Sequence, residues 1–466
     1  MILRVRGSLR LRQIVKSSLA LLLAGCAAEV PPAVETERTA SGYSNRLGPI
    51  SAKNKSDADQ KALLLYKRVV GVNTTLNDPN IQAMSAKLEQ GDTMGAAAIA
   101  TKQNDFLNVT VKLMATKMSY RDEKPNHESN DFVAAMVGGV RDDVSAYEMM
   151  TGNFYYTVDP AKVPMGTTIR SDLLADFLRS NNHFLDFDRA GFNAQWLMRQ
   201  DGMKAVTASV GVAAVADLPA KDASALLTSR AFTFAHAIAG TNRRMLEFTF
   251  REFMCVEMTD WSDTTRSDEF VGRDVDRYDP KFQNRCKGCH GQMDGFRGAF
   301  ANIDFYMSGN VAFLKHSALL APQARNIAQA EGELNFKTLP AVNGQPTVPA
   351  TIASKMNHNQ QVFTPGRVIV DDSWSNIAIG GNNTKLFGWR GEMKGNGINS
   401  FAKAIAGSER FPRCMAQRVF TEVCKREPVA SDEPMLIWAG KEFEGNNYNF
   451  KYLFQLVSTQ LECLGD

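Results

Sequence analysis

Through most of the chain from residue 61 onward, apolar residues recur three or four positions apart, the spacing of one buried helix face. Residues 61–69, 82–102 and 105–118 carry this period with good helix formers, and residues 130–138 and 142–150 repeat it. Asp92 and Thr93 stand at the head of an Ala-rich segment, and Gly152-Asn153 and Asp159-Pro160 are breaks. Shorter helical patterns occupy 171–179 and 192–200, whereas the Val- and Ala-rich residues 205–217 fit neither period. Residues 229–254 form a long helical stretch interrupted near Gly240 and ending at Cys255. Residues 259–279 are acidic and polar, hence a loop. Between 306 and 397 the period gives way to Gly, Asn, Pro and Thr, which predicts an irregular insertion with a few short strands, such as 367–370. The helix period returns over 398–425 and 447–463. The expected fold is mainly α: a helical module over 57–228, then a second unit over 229–466 that encloses the insertion.

The first 25 residues stand apart. They carry Arg4, Arg6, Arg10, Arg12 and Lys16 and no acid, followed by the short apolar run Leu19-Ala20-Leu21-Leu22-Leu23. That run is too short to span a bilayer. Leu23-Ala24-Gly25-Cys26 resembles the bacterial lipobox. The resemblance implies a signal peptide over 1–25, cleavage before Cys26, and a lipid on its sulfur that holds the chain to a membrane of the cell envelope. Ala27, rather than Asp, after that Cys favours the outer membrane. A plain signal peptide with a chance Cys is the alternative. Residues 26–56, rich in Ala, Pro, Glu, Thr and Ser, read as a flexible tether.

Removal of residues 1–25 changes the charge picture. The full 466-residue chain has a formal net charge of +3; without that segment 48 basic residues face 50 acidic ones. The mature protein is close to neutral, with no basic stripe, which excludes nucleic acid as a partner. The length suggests two or three domains.

Seven cysteines divide by position. Cys26 takes the lipid. Cys286 and Cys289 lie in Cys286-Lys287-Gly288-Cys289-His290. Cys255, Cys414, Cys424 and Cys463 are an even number in an exported chain, so two disulfides are expected, with three possible pairings. Cys414 and Cys424, ten apart on an expected helix, face different ways and are disfavoured as mutual partners.

Two thiols spaced i, i+3 on a helical turn can each add to one vinyl group of a haem, and a His directly after the second thiol lies under the iron as its proximal ligand. A chance CxxCH arises in roughly one such chain in a thousand, and export agrees with where thioether attachment occurs. The expected prosthetic group is therefore one covalent haem c on Cys286 and Cys289, with His290 on the iron. A redox CxxC would sit in a βαβ context, and a zinc site would need a second ligand pair; neither pattern is visible. For the sixth ligand, Met393 is the candidate. It lies in Gly391-Glu392-Met393-Lys394-Gly395-Asn396-Gly397, a loop just ahead of the helix at 398, and its thioether would favour reduced iron. Met293, three residues after His290, belongs on the proximal side. Met307, Met356, His316 and His358, all in the insertion, remain alternatives, and any single Met is more commonly core filling. His127, His183 and His236 are expected to have no metal role, His236 being a core residue among Phe232, Phe234 and Ile238. Trp389 either covers the haem edge or packs in the core.

Residues 286–304 read CKGCHGQMDGFRGAFANID. This resembles the haem segment of the planctomycete-type cytochrome c proteins, which runs C-x-x-C-H, Met-Asp, a Pro-hydrophobic pair, Gly-Phe and a closing Asn-aromatic-Asp. Met293-Asp294 and Asn302-Ile303-Asp304 fall in register. Gly295-Phe296 comes two places early, where the Pro-hydrophobic pair should be, so the turn after the haem helix is expected to differ. Thr241-Asn242-Arg243-Arg244 through Phe253-Met254-Cys255 resembles the helix that family places before its haem loop. Asn130-Asp131-Phe132 and Tyr147-Glu148-Met149-Met150-Thr151 resemble its N-terminal helical module. Residues 401–424 are similar to its C-terminal module, which carries a Cys near Cys414. The insertion 306–397 is longer than the family's. The resemblance covers most of residues 60–463 and implies export, one haem c in a cytochrome c-like domain with C-terminal helices, and work beside a partner oxidoreductase or hydrolase.

The function expected first is single-electron transfer to or from a redox partner protein at a membrane surface. A peroxidase-like haem enzyme with an open sixth site is one alternative. A structural or redox-sensing binding lipoprotein is another, because electron transfer alone does not need the module at 57–228. No Ser-His-Asp order, phosphate loop or paired-carboxylate signature is present.

Overall fold

The computed structural model describes residues 46–119, 130–167, 182–206, 215–237, 242–268, 270, 280–308, 311–316 and 372–465. The expectations for residues 1–25, Cys26, the helix at 171–179, the strand at 367–370, His127, Met356 and His358 fall outside them.

The fold is mainly α, with sixteen α-helices among the described residues. Helix α1 (Lys55–Val70) starts where the Asn54 side chain accepts from the Asp57 amide and stops at Gly71, whose φ of 84° ends it in a left-handed cap. The long pattern at 82–102 is two helices, α2 (Pro79–Glu89) and α3 (Thr93–Thr101), because Gly91 takes φ 74° between them and the Asp92 carboxylate caps the second through Gly95 N, 2.8 Å away. A π-helical turn, Phe106–Val111, runs into α4 (Lys112–Met118). Helices α5 (Asp131–Arg141) and α6 (Ala146–Thr151) follow, the latter capped by Ser145.

The helix expected at 192–200 is not formed. Ala194–Trp196 makes one 3-10 turn, and Leu197–Asp201 is strand β2, antiparallel to β1 (Phe154–Val158). The aromatic and β-branched run of β1 supplies a pairing partner that local periodicity does not register. Helix α7 (Asn182–Arg189) lies between these strands in sequence. A four-stranded sheet of order β4-β3-β6-β5 joins β3 (Lys204–Val206), β4 (Val215–Asp217), β5 (Ile303–Ser308) and β6 (Val311–His316); β3 runs parallel to β6 and the other pairs are antiparallel. The start of the insertion is thus a hairpin that extends a sheet begun a hundred residues earlier.

The stretch at 229–254 is two helices, α8 (Arg230–Ala237) and α9 (Asn242–Met254). Helix α10 (Lys287–Met293) is preceded by a π-helical turn, Phe282–Cys286, and continued by a 3-10 segment, Asp294–Phe300. Strand β7 (Ser373–Ser375) pairs with β8 (Lys394–Asn396), and α11 (Asn382–Phe387) lies between them. Helices α12 (Gly397–Ala406), α13 (Arg410–Cys424), α14 (Glu433–Gly445), α15 (Phe450–Ser458) and α16 (Leu461–Leu464) complete the chain.

The helices at the two ends of the chain share one core. Phe106 meets Phe454 edge-on at 5.0 Å, Lys117 bonds Glu422 at 2.8 Å, and Arg68 donates to the carbonyls that end α13. Asn399 on α12 donates to the carbonyls of Thr151 and Ala223. The described residues, from 46 to 465, belong to one compact unit. Two disulfides lock the C-terminal part: Cys255–Cys414 ties the end of α9 to α13, and Cys424–Cys463 ties α13 to α16. Cys414 and Cys424 are not mutual partners, in keeping with their helical spacing.

Candidate functional site

With four cysteines in disulfides, Cys286 and Cys289 remain as thiols, half-exposed and one turn apart at the head of α10. The Cys289 thiol donates to the Met258 carbonyl at 3.3 Å. That carbonyl belongs to the segment after α9, and the same segment grips α10 along its length. The Asp263 amide donates to the Gly288 carbonyl at 3.0 Å. Gln292, fully buried, donates back to the Gly288 carbonyl at 3.1 Å and to that of Trp261. Asn383 on α11 donates to Gln292 Oε1 at 2.7 Å and to the Trp261 carbonyl at 3.0 Å. A β-carbon at Gly288 would meet the Ser262 hydroxyl and displace it, so the loop lies close against the second variable position of the CxxCH turn.

His290 has a side chain 28% exposed, and its Nδ1 is buried 3.8 Å from Asp294 Oδ1. The i, i+4 spacing sets the imidazole over the carboxylate. Asp294 is fully buried and held by two cations: Arg243 on α9 takes it in a fork, Nε to Oδ1 at 2.7 Å and Nη2 to Oδ2 at 2.6 Å, and Arg297 lies 3.3 Å away. Burial alone would push this carboxyl up; the Arg243 and Arg297 charges prevail and hold it well below the usual carboxylate range. The site therefore keeps an anion on the Nδ1 side of the ring, within ion-pair reach but without a hydrogen bond to it.

Behind α10 stands an aromatic cluster. Phe250 on α9 stacks on Trp261 at 4.6 Å and meets Phe296 at 5.5 Å, Phe387 at 5.6 Å and Trp389 at 6.2 Å. Trp374 and Phe401 close it against Phe296 at 6.0 and 5.6 Å. Trp389 belongs to this cluster, its indole N–H on the Ala378 carbonyl at 3.0 Å.

Met393, the sixth-ligand candidate, is half-buried just before β8; Asn376 donates its amide N–H to the Met393 carbonyl at 2.7 Å and its side-chain N–H to the sulfur at 3.5 Å. Asn376 directly follows β7, whose backbone lies against the segment after Asp294: a β-carbon at Gly298 would overlap the Ser373 carbonyl oxygen, and one at Gly295 would lie 2.5 Å from that of Ser375. Met393 is thus carried on the framework that packs against the 3-10 segment continuing the His290 helix. Met293 is 6% exposed in the core. Met307 lies in β5. His316 is fully buried, with Nε2 2.8 Å from Asp222 Oδ2. The same carboxylate accepts from Asn302, which also bonds Asp372, itself paired with Lys221 and Asn396. With Nε2 committed to Asp222, His316 is a poor iron ligand. His183 is likewise committed, Nε2 facing Thr157 Oγ1 at 3.0 Å and the Val158 amide at 3.3 Å. His236 is buried between Phe248, stacked at 3.9 Å, and Phe232 at 4.4 Å.

The residues present fit a haem c. Two free thiols and an imidazole share one helical turn, a carboxylate lies 3.8 Å from the inner nitrogen of the imidazole, and the other described cysteines are oxidised. Among the described residues no three His, Cys, Asp or Glu side chains gather as for a metal ion, and no helix there is long and apolar enough to cross a membrane. Sequence reading singled out the CxxCH but not the Arg243–Asp294–Arg297 cluster. Its one legible signal was Asp294, which stands with Met293 where the resembled pattern has Met-Asp. Compared with models of known protein families, with curated proteins and with solved structures, the chain has no match.

Proposed function

We propose that this chain is an exported, mono-haem c-type cytochrome of the planctomycete-type kind, held at the cell envelope by lipid on Cys26, and that it passes single electrons to or from a partner oxidoreductase. The observation that carries the reading is the partition of thiols: Cys255, Cys414, Cys424 and Cys463 are paired, while Cys286 and Cys289 stay reduced and accessible beside His290. In an oxidising compartment, free thiols three apart would form a disulfide unless other chemistry claims them. Their placement at i and i+3 suits attachment to two vinyl groups.

When bound, haem supplies a reversible one-electron couple. The chain's own residues do the rest. Cys286 and Cys289 would hold the porphyrin through thioethers, His290 would supply an iron ligand, and Asp294 places its negative charge 3.8 Å from Nδ1. Arg243 and Arg297 keep Asp294 ionised. The aromatic cluster keeps water from the inner side of α10. Met393 would be the further iron ligand, its sulfur held by the Asn376 side chain. Lipid on Cys26 confines the protein to the surface where its partner works.

The test is the absorption spectrum of the matured protein in both redox states, together with peroxidase staining of bound haem after denaturing electrophoresis. Covalent stain lost in Cys286→Ala/Cys289→Ala, and a weak near-infrared band lost in Met393→Ala, are the expected results. Ready binding of carbon monoxide by the reduced wild type would move the reading to a haem enzyme with an open sixth site. Absence of covalent porphyrin would sink it.

A further inference from the structure

We infer that Asn376 is the positioning residue of the Met393 sulfur: its side-chain N–H takes one lone pair, leaves the other for iron, and so raises the potential at which the chain exchanges its electron. This deepens the electron-transfer reading and rests on it, Met393 being the further iron ligand. The carrying observation is the bond from Asn376 Nδ2 to the Met393 sulfur at 3.5 Å. A buried side-chain amide ordinarily gives its N–H to an oxygen. Here the backbone holds it on a thioether, a weak acceptor that a core-filling Met has no need to use.

The local structure leaves the amide no other orientation. Strands β7 and β8 pair with Ser375 opposite Lys394. Asn376 is the next residue on one strand and Met393 the preceding residue on the other, and the Asn376 amide donates to the Met393 carbonyl at 2.7 Å, so the ladder runs one step further. Residues opposed in this way are side-chain neighbours. An Asn amide can be turned either way, but the Ala378 amide donates to Asn376 Oδ1 at 2.9 Å, which closes an Asx turn and sends Nδ2 toward the sulfur. Ala378 is fixed in its turn, since its carbonyl accepts from the Trp389 indole at 3.0 Å. Asn376 is buried, so water does not compete for its N–H.

The consequence follows from the electronics of sulfur. A thioether has two lone pairs. Asn376 occupies one, and among the described residues no other donor reaches this sulfur. The bond draws electron density from the sulfur, which weakens its donation to oxidised iron more than to reduced iron. Hydrogen bonding around an axial ligand is one of the levers that set a haem potential. The same bond selects which lone pair is left, so a ligating Met393 holds its methyl group on one side only.

Two variants separate the turn from the sulfur. Asn376→Ser keeps an oxygen able to accept from the Ala378 amide, but its side chain is one atom too short to reach the sulfur. Asn376→Ala loses both bonds. On the haem-free full chain, hydrogen peroxide should convert Met393 to its sulfoxide about threefold faster in both variants, read by peptide mass spectrometry against the exposed Met165. On haem-loaded protein, both should lower the midpoint potential, so that the reduced-to-oxidised ratio at the wild-type midpoint falls about tenfold, or about 59 mV for one electron. The carbon-13-labelled Met393 methyl of the reduced protein should give one signal in the wild type and two or a broadened one in the variants. A wild-type potential in Asn376→Ser, or a sulfoxide rate unchanged in both variants, overturns the role of Asn376. A spectrum indifferent to Met393→Ala overturns the proposal through its ligand, and missing porphyrin stain overturns the electron-transfer reading beneath it, with the sulfoxide rates unaffected in either case.

Discussion

Replacement of Asp294 by Ala is the sharpest perturbation of the site that the structure offers. The carboxylate is fully buried and accepts two short bonds from Arg243, whose side chain is 11% exposed, and a longer one from Arg297, 3% exposed. Its removal leaves two buried guanidiniums without their shared anion, for which the expected loss is about 3–5 kcal/mol. Arg243→Met/Asp294→Leu, which removes charge from both sides and keeps the volume, should recover much of that loss. Equilibrium denaturation by urea at neutral pH measures both. The pH dependence follows from the direction of the shift. The carboxyl is held lower in the folded state than in the unfolded chain, where it titrates near ~3.9. Its stabilisation is therefore complete above that value and fades as pH falls below it toward the folded pKa. The gap between wild type and Asp294→Ala should accordingly be full at pH 7 and narrow below about pH 4. In the haem-loaded protein the same variant should raise the midpoint potential, because loss of a buried negative charge near the iron favours the reduced, less positive state. A loss below about 1 kcal/mol, or a gap that does not change with pH, would refute the idea that Asp294 is the ionised centre of the cluster.

Other expectations follow from packing and covalent links. Gly298→Ala puts a β-carbon onto the Ser373 carbonyl and should destabilise by about 1–3 kcal/mol, with thermal melting as the check, whereas Gly445→Ala, with open space around it, should cost under about 1 kcal/mol. Cys424→Ser/Cys463→Ser opens a loop of 39 residues, for which chain entropy gives about 4 kcal/mol in denaturant titration. Cys255→Ser/Cys414→Ser, spanning 159 residues, should cost at least as much and should also loosen α9, read as faster amide exchange around Arg243. Gln455 pairs with Thr101 on α3, and Gln455→Ala should remove only that 2.8 Å bond, about 1 kcal/mol in urea denaturation, with no change in any haem spectrum.

What the linear sequence determined are features set by neighbours along the chain. Helix period, glycine breaks and capping residues made the mainly α fold legible, since each depends on residues within one or two turns. The CxxCH turn was legible for the same reason: thiol, thiol and imidazole are adjacent, and a single helical turn arranges them. What only tertiary structure decided are pairings between distant segments. Leu197–Asp201 became a strand because β1 lay beside it, and the hairpin at 303–316 joined β3 across a hundred residues. The disulfide partners were open in sequence because helical spacing disfavoured one pairing without choosing between the other two. Arg243 and Asp294 stand 51 residues apart, and nothing local tells a buried carboxylate which guanidinium will reach it. Local chemistry thus named the residues that bear the site, and long-range packing, which must satisfy every buried charge, supplied the residues that hold them.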